Sequence, residues 1–248
     1  MDLFPNDTHV LPFELSPSSA GCGYEYNERL QGFNIHLPNG ELFYSPNFFN
    51  KKISDRSVEY FLENRSGYPI DSDWKSISIE DFEKIIFDNI KWKQEYINLY
   101  GRKPIPRLTA WYGDEGKAYS YSGIQQNPNT WNKGLAYIKE QVEVVAGVTF
   151  NSVLLNWYRD GNDYLNWHAD DEKELGINPT IASVNFGETR DFQLRNNKNP
   201  DLKLTVPLMH GSLLIMSGQL QHYWQHAVPK RKRVKSSRFN LTFRAIVE

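Results

Sequence analysis

The sequence is short of cysteine, long apolar runs and net charge, and each shortage narrows the field. Cys22 is the one cysteine among 248 residues, so no intramolecular disulfide is available and nothing demands an oxidising compartment. No window of about 18 apolar residues occurs. Met1-Asp2-Leu3-Phe4-Pro5 opens without the basic stretch and apolar run of a secretory signal. The expectation is a soluble intracellular protein with no membrane partner, cytoplasmic, or nuclear if the source is eukaryotic. A formal charge of −2 argues against a protein that coats nucleic acid indiscriminately, although a local basic surface would still bind a polyanion. Internal repeats and low-complexity tracts are also missing.

Aromatic residues are plentiful, with 7 Trp, 14 Tyr and 14 Phe. That supply favours a β-rich core and leaves rings to stack on a flat ligand. With 40% hydrophobic and 23% charged residues, the chain can bury one large core. Residues 1 to about 40 are rich in Pro, Ser, Gly and Asn and read as a loose extension. Residues 41–46 predict a short strand, and Ser54-Asp55 a cap for a helix running to about Asn64. The apolar stripe Phe82, Ile85, Ile86 and Ile90 predicts a helix over Ile79–Asn98. Trp131, Leu135, Ile138, Val142 and Val145 predict another over Thr130–Ala146, stopped by Gly147.

After Gly147 the texture becomes a series of short β-type runs: Ser152–Tyr158, Thr180–Phe186, Phe192–Arg195, Leu202–Val206, Ser212–Met216 and Arg238–Val247. Turn signals such as Asp160-Gly161-Asn162 separate them. Many short strands without intervening helices predict a jelly roll or barrel, here a helix-buttressed sandwich with its core in the last 100 residues or so.

Within these runs His168-Ala169-Asp170 is an H-x-D pair. Residues two apart on an extended segment point to one side, so imidazole and carboxylate can converge on one ion. A second, distant His would complete a 2-His-1-carboxylate triad of the kind that holds non-haem Fe(II) with open positions. Taken alone, such a pair is more often a feature of a surface or loop. The candidates for the distant ligand are His226, His222 and His210. His226 is preferred because His226-Ala227-Val228 reads as the start of a strand, whereas His222 and His210 read as hydrogen-bonded structural histidines.

Twelve residues beyond His226 comes Arg238-Phe239-Asn240-Leu241-Thr242-Phe243-Arg244, with strict alternation. Arg238, Asn240, Thr242 and Arg244 share one face. An ordinary half-buried strand would turn that face to solvent. Two arginines around Asn and Thr also make an anion pocket, because guanidinium binds carboxylate in bidentate fashion. Metal plus arginine strand is the pairing a 2-oxo dicarboxylate requires. Asn156 and Tyr158 could add hydrogen bonds from the strand before the triad.

These residues resemble the AlkB family of Fe(II)/2-oxoglutarate-dependent nucleic-acid dealkylases, closest to the branch that repairs duplex DNA. The resemblance covers about Pro104 to Val247 and rests on several strings in order. They are Asn156 to Tyr158, His168-Ala169-Asp170-Asp171-Glu172, Ile181-Ala182-Ser183-Val184, and Arg238 to Arg244. The resemblance implies an α+β fold with a mainly β core, a double-stranded β-helix (jelly roll) buttressed by N-terminal helices. It implies Fe(II) on His168, Asp170 and His226, with 2-oxoglutarate as cosubstrate and O₂. Asn156, Tyr158, Arg238, Asn240, Thr242 and Arg244 match the family's 2-oxoglutarate contacts. Asp171 and Glu172 match acidic residues that meet a flipped base. Tyr119, Tyr121 and Arg107 match its lid, with Tyr121 standing where the branch usually has Phe. Leu99-Tyr100-Gly101 falls where the branch carries an apolar wedge, here with Tyr100 in the middle.

The implied division is residues 1–75 as N-terminal extension and first helix, 76–146 as helices and lid, and 147–248 as catalytic core, in one folded unit from about residue 41. The implied reaction hydroxylates the alkyl group of 1-methyladenine or 3-methylcytosine in DNA, releasing aldehyde, succinate and CO₂. The implied protein is a monomer that flips its target base. The basic run Lys230-Arg231-Lys232-Arg233, with Lys235, lies between the last iron ligand and the arginine strand, where it could hold phosphates. Arg102 and Lys103 could extend that surface. The alternatives are the same chemistry on RNA or on a protein side chain, a non-catalytic nucleic-acid-binding module on an oxygenase scaffold, and a cupin-like metal sandwich.

Overall fold

The computed structural model describes residues 9–15, 21–63, 90–97, 103–116, 119–121, 124–199 and 201–247. In chain order its elements are β1 (Gly23–Asn27), β2 (Gly32–Leu37), β3 (Gly40–Ser45), α1 (Lys51–Glu63), β4 (Tyr96–Ile97), β5 (Lys103–Pro104), β6 (Leu108–Gly113), β7 (Tyr119–Tyr121), β8 (Ile124–Gln126) and α2 (Lys133–Ala146). There follow β9 (Ser152–Tyr158), β10 (Leu165–His168), β11 (Ile181–Gly187), β12 (Arg190–Asn196), β13 (Lys203–Leu208), β14 (Leu213–Ser217), α3 (Leu220–Tyr223), β15 (Trp224–Val228) and β16 (Arg238–Arg244).

Two antiparallel sheets face each other. The major sheet has eight strands in the order β1-β2-β3-β14-β11-β16-β9-β6, and the minor sheet has four in the order β10-β15-β12-β13. This is the expected jelly roll. Among the described residues no helix is long and apolar enough to cross a membrane.

The core divides along the major sheet. One apolar cluster lies behind it, where α1 and α2 cover Val153, Leu155, Val184, Phe239, Leu241 and Phe243. The other lies between the sheets, around Tyr44, Trp111, Leu154, Phe192, Leu194 and Leu214. The α2 helix forms because its apolar residues recur at helical spacing, so that Leu135, Ile138 and Val142 are buried on one stripe. The Asn132 side chain accepts from the Leu135 N–H, and Gly147 ends the helix in the left-handed conformation at φ 66°.

Three expectations are corrected. Residues 23–37, read as loose, form β1 and β2, because β2 pairs with β3 and buries Phe33, Ile35 and Leu37. The helix read over Ile79–Asn98 is not found where its residues are described. Residues 90–97 are extended there, Lys93 bridges to Thr109, and β4 pairs with β5. Pairing with neighbouring strands overrides the local apolar period. Residues 79–89 and Asn98 lie outside the described residues, as do Tyr100 and Arg102. Finally, α1 is capped by Asn50, whose side chain accepts from the Ile53 N–H at 3.0 Å, and Ser54 lies inside the helix.

A candidate metal and carboxylate centre

The site lies between the sheets, with the minor sheet supplying imidazoles and the major sheet a polar floor. β10 and β15 are antiparallel neighbours in which His168 lies opposite His226. The two rings meet edge to face with centroids 4.2 Å apart, and Phe192 stacks on His226 at 5.0 Å. The chain leaves β10 at His168 and returns Asp170 to the same point. One ligand atom from each of His168, Asp170 and His226 lies within 4.8 Å of the other two.

Each donor is prepared for a cation. His168 Nδ1 meets the Asn166 carbonyl oxygen at 2.8 Å, which places the proton on Nδ1 and leaves the Nε2 lone pair free. Asp170 is 1% exposed. Its Oδ2 accepts from Arg244 Nη2 at 2.8 Å, while Oδ1 has no hydrogen-bond partner and stands 3.8 Å from His168 Nε2.

Burial would raise the Asp170 carboxyl, but Arg244, His226 and His168 outweigh it and hold the group below the usual carboxylate range. Burial pushes His226 down to about 3, with His168 and Arg244 adding to the push against the pull of Asp170. His168 is also lowered, chiefly by burial. Two neutral imidazoles and one carboxylate with a bare buried oxygen fit a divalent ion held by three ligands. His210 and His222 do not join them. His210 accepts from the Gly187 N–H at 2.8 Å and meets Asp55 at 3.0 Å, and His222 is exposed on α3.

The floor is β16, between β9 and β11. Its seven residues are all buried, so the alternation does not separate core from solvent. It separates an apolar core from a polar cleft. Register places Arg238 opposite Tyr158, Asn240 opposite Asn156 and Asn185, and Thr242 opposite Ser183. Asn240 is tied into this ladder. Its Nδ2 donates to Ser183 Oγ at 2.8 Å, and its Oδ1 accepts from Thr242 and from Asn156.

Arg238 is 1% exposed and lies over the Tyr158 ring at 4.9 Å. Its Nη2 donates to Asn185 Oδ1, and its Nε and Nη1 have no partner. Burial depresses the guanidinium to about 10, so it remains cationic at neutral pH. A buried cation with two unpartnered nitrogens and no carboxylate beside it fits a carboxylate ligand. Asn156, Tyr158, Arg238, Asn240, Thr242 and Arg244 thus line one cleft with the three metal-ligand candidates.

The remaining expected site residues are placed less completely. Asp171 is exposed and Glu172 half-buried, both directly after Asp170. Arg107 is buried and donates to Asn156 Oδ1 at 2.7 Å. It borders a cavity of ≈ 180 Å³ that reaches His168 past Tyr164 and Trp167. Tyr119 and Tyr121 lie on β7, which pairs with β8, and their side chains lie outside the described residues. Sequence reasoning missed Asn185, Asn166 and Gln221. For Asn185 a signal existed, an amide inside the apolar run Ile181–Phe186. Asn166 acts through its backbone carbonyl and leaves no sequence signal.

Residues 75–244 match the family described as the 2OG-Fe(II) oxygenase superfamily. The chain is 44% identical over 168 residues to the rat alpha-ketoglutarate-dependent dioxygenase alkB homolog 3, covering 64% of this chain and 56% of that protein. It is 41% identical over 177 residues to the human DNA oxidative demethylase ALKBH2, covering 65% and 68%. An Arabidopsis protein of the same name is 36% identical over 187 residues, covering 64% and 59%. The chain therefore spans between about half and two thirds of the length of these relatives. The solved structure of OsALKBH1 aligns with 90% of this chain and 100% of its own, at a TM-score of 0.50 and 14% identity, and supports the fold alone.

Proposed function

The chain belongs to the 2OG-Fe(II) oxygenase superfamily, and within it to the AlkB family, and from that premise we propose that it removes alkyl groups oxidatively from damaged bases in DNA. The observation that carries the reading is the pair of unsatisfied groups in one cleft, Asp170 Oδ1 near the imidazoles and the Arg238 N–H groups on the floor. The first would hold a metal able to chelate the 2-oxo acid end of a dicarboxylate, and the second would take its distal carboxylate.

In this reading His168, Asp170 and His226 hold Fe(II). Arg238, with Tyr158 beside it, binds the distal carboxylate of 2-oxoglutarate. Arg244 holds Asp170 Oδ2, so that only Oδ1 faces the metal. When bound, Fe(II), 2-oxoglutarate and O₂ supply the oxidation that hydroxylates the N-alkyl carbon, after which aldehyde leaves and the base is restored. Asp171 and Glu172 favour a cationic lesion such as 1-methyladenine or 3-methylcytosine over the neutral parent base. Residues 76–146 carry the lid, where Tyr119 and Tyr121 would add cation–π attraction of about 0.5–2 kcal/mol. Residues 147–248 carry the catalytic core.

The charge distribution supports a nucleic-acid substrate. The four strands of the minor sheet contain a single acidic residue, Asp191, and it is ion-paired with Arg231. Around that sheet cations sit on aromatic faces: Arg195 over Trp167 at 4.4 Å, Lys230 over Tyr164 at 4.4 Å and Lys198 over Tyr223 at 5.0 Å. Beside them Lys232, Arg233 and Lys235 are exposed. The loop is held against the turn between β9 and β10, because Gly161 O accepts from the Arg231 N–H at 2.7 Å where a Cβ would collide with the Arg231 carbonyl. Cations interleaved with rings suit a strand with splayed bases.

The test is product analysis. The protein is given Fe(II), ascorbate, 2-oxoglutarate and a 1-methyladenine oligonucleotide, single-stranded or duplex. Loss of one CH₂ equivalent from the base, coupled to succinate and dependent on iron, is expected. Succinate without base repair would move the substrate to RNA or protein, and neither product in the iron-loaded protein would favour a binding module.

A further inference from the structure

Gln221 is buried and polar, and it has no part in binding the dicarboxylate. It sits on α3, the single turn that runs directly into β15 and so into His226. Its side-chain amide is engaged at both ends. The Asp170 backbone N–H donates to Gln221 Oε1 at 3.0 Å, and Gln221 Nε2 points to Met216 Sδ at 3.6 Å. Chemistry fixes which end is which, since a backbone N–H only donates and a thioether sulfur only accepts.

Asp170 lies beyond the end of β10, where no strand ladder fixes its backbone. The pairing of β10 with β15 is itself irregular between Leu165 and His168. Gln221 thus links the segment that carries the carboxylate to the segment that carries the second imidazole. Arg244 fixes one oxygen of Asp170, and Gln221 fixes the backbone from which the carboxylate hangs. With both held, the direction of Oδ1 is set before any ion arrives. The surroundings, Met216 and Leu220 among them, are apolar and buried, so an aliphatic side chain would satisfy packing alone.

We propose that Gln221 is a positioning residue for the metal centre, which orients Asp170 so that its free oxygen meets His168 and His226 at the spacing of one ion. This rests on the reading that these three residues hold a metal. Partners behind metal ligands typically change affinity about 10–100-fold when removed.

Co(II) is the probe, titrated into the metal-free full chain and followed by its visible absorption. Two variants separate acceptor from shape. Gln221→Leu keeps most of the volume and removes the acceptor, and Gln221→Asn keeps the amide but falls short of Asp170. Each variant that folds is expected to bind Co(II) about 10–100-fold more weakly, with an altered absorption spectrum. A folded variant that binds within twofold of wild type, with the same spectrum, would overturn the proposal however far its unfolding temperature drops. Wild-type protein that binds no Co(II) would sink the metal reading and the proposal with it. Wild-type binding with undiminished variants would sink the proposal alone.

Discussion

The two faces of β16 bury opposite kinds of side chain. Behind the strand, Phe239 packs with ring centroids 4.9 Å from Phe61 and 5.1 Å from Trp157, in a buried cluster of aliphatic and aromatic side chains. In front, the same seven residues turn Arg238, Asn240, Thr242 and Arg244 into a cleft where the buried Arg238 Nε and Nη1 lack partners. Both faces exclude water. One uses burial for stability, and the other carries the cost of desolvated cations, which a bound anion and metal would offset. A strand dry on both faces but polar on one is therefore a stronger pointer to a ligand than its alternation alone.

Substitutions can break that comparison, and the largest effect is expected on the polar side. Asp170→Ala should reduce turnover to background while leaving DNA affinity largely intact, read by succinate release and by oligonucleotide binding in parallel. Retained activity would remove the triad. On the apolar side, Phe239→Ala should cost about 3–5 kcal/mol of stability, read by denaturant unfolding.

Arg238→Met should do the reverse. Losing the partner of a buried carboxylate costs about 2–5 kcal/mol, so the 2-oxoglutarate requirement should rise about 30-fold or more. The metal-free protein should meanwhile be no less stable, in direct comparison with Phe239→Ala in the same unfolding experiment. Equal destabilisation by the two substitutions would erase the distinction between the faces. The smallest effect belongs to the loop. Lys232→Ala and Arg233→Ala should each lower the slope of log affinity against log salt by about one. Arg231 is spoken for by Asp191, so its removal should disturb the loop more than the salt slope.

What the sequence could disclose follows the same division. The strand β9 is found at the predicted residues, Ser152–Tyr158, and the alternation of Arg238 to Arg244 was legible because its polar residues are chemically unusual for a buried face. H-x-D and His226 were legible as a set once that strand followed them. β6, Leu108–Gly113, was not, because all six residues are buried and a continuous buried run lacks alternation. β1 was not, because its composition is that of a turn-rich edge and its place is set by pairing with β2. Gln221 was not, because one glutamine in a short turn becomes meaningful only when its acceptor is seen against the Asp170 N–H.

The central claim is that the polar face of β16 and the His168-Asp170-His226 cluster form one site for a metal-chelated dicarboxylate. Its most direct test is an anaerobic titration of the Fe(II)-loaded protein with 2-oxoglutarate, followed by the visible absorption of the chelate. The account predicts a saturable band in the wild-type protein, absent from Asp170→Ala and shifted to higher 2-oxoglutarate in Arg238→Met. A wild-type protein that binds Fe(II) but forms no such band, or an Arg238→Met variant that saturates at the wild-type concentration, would contradict it.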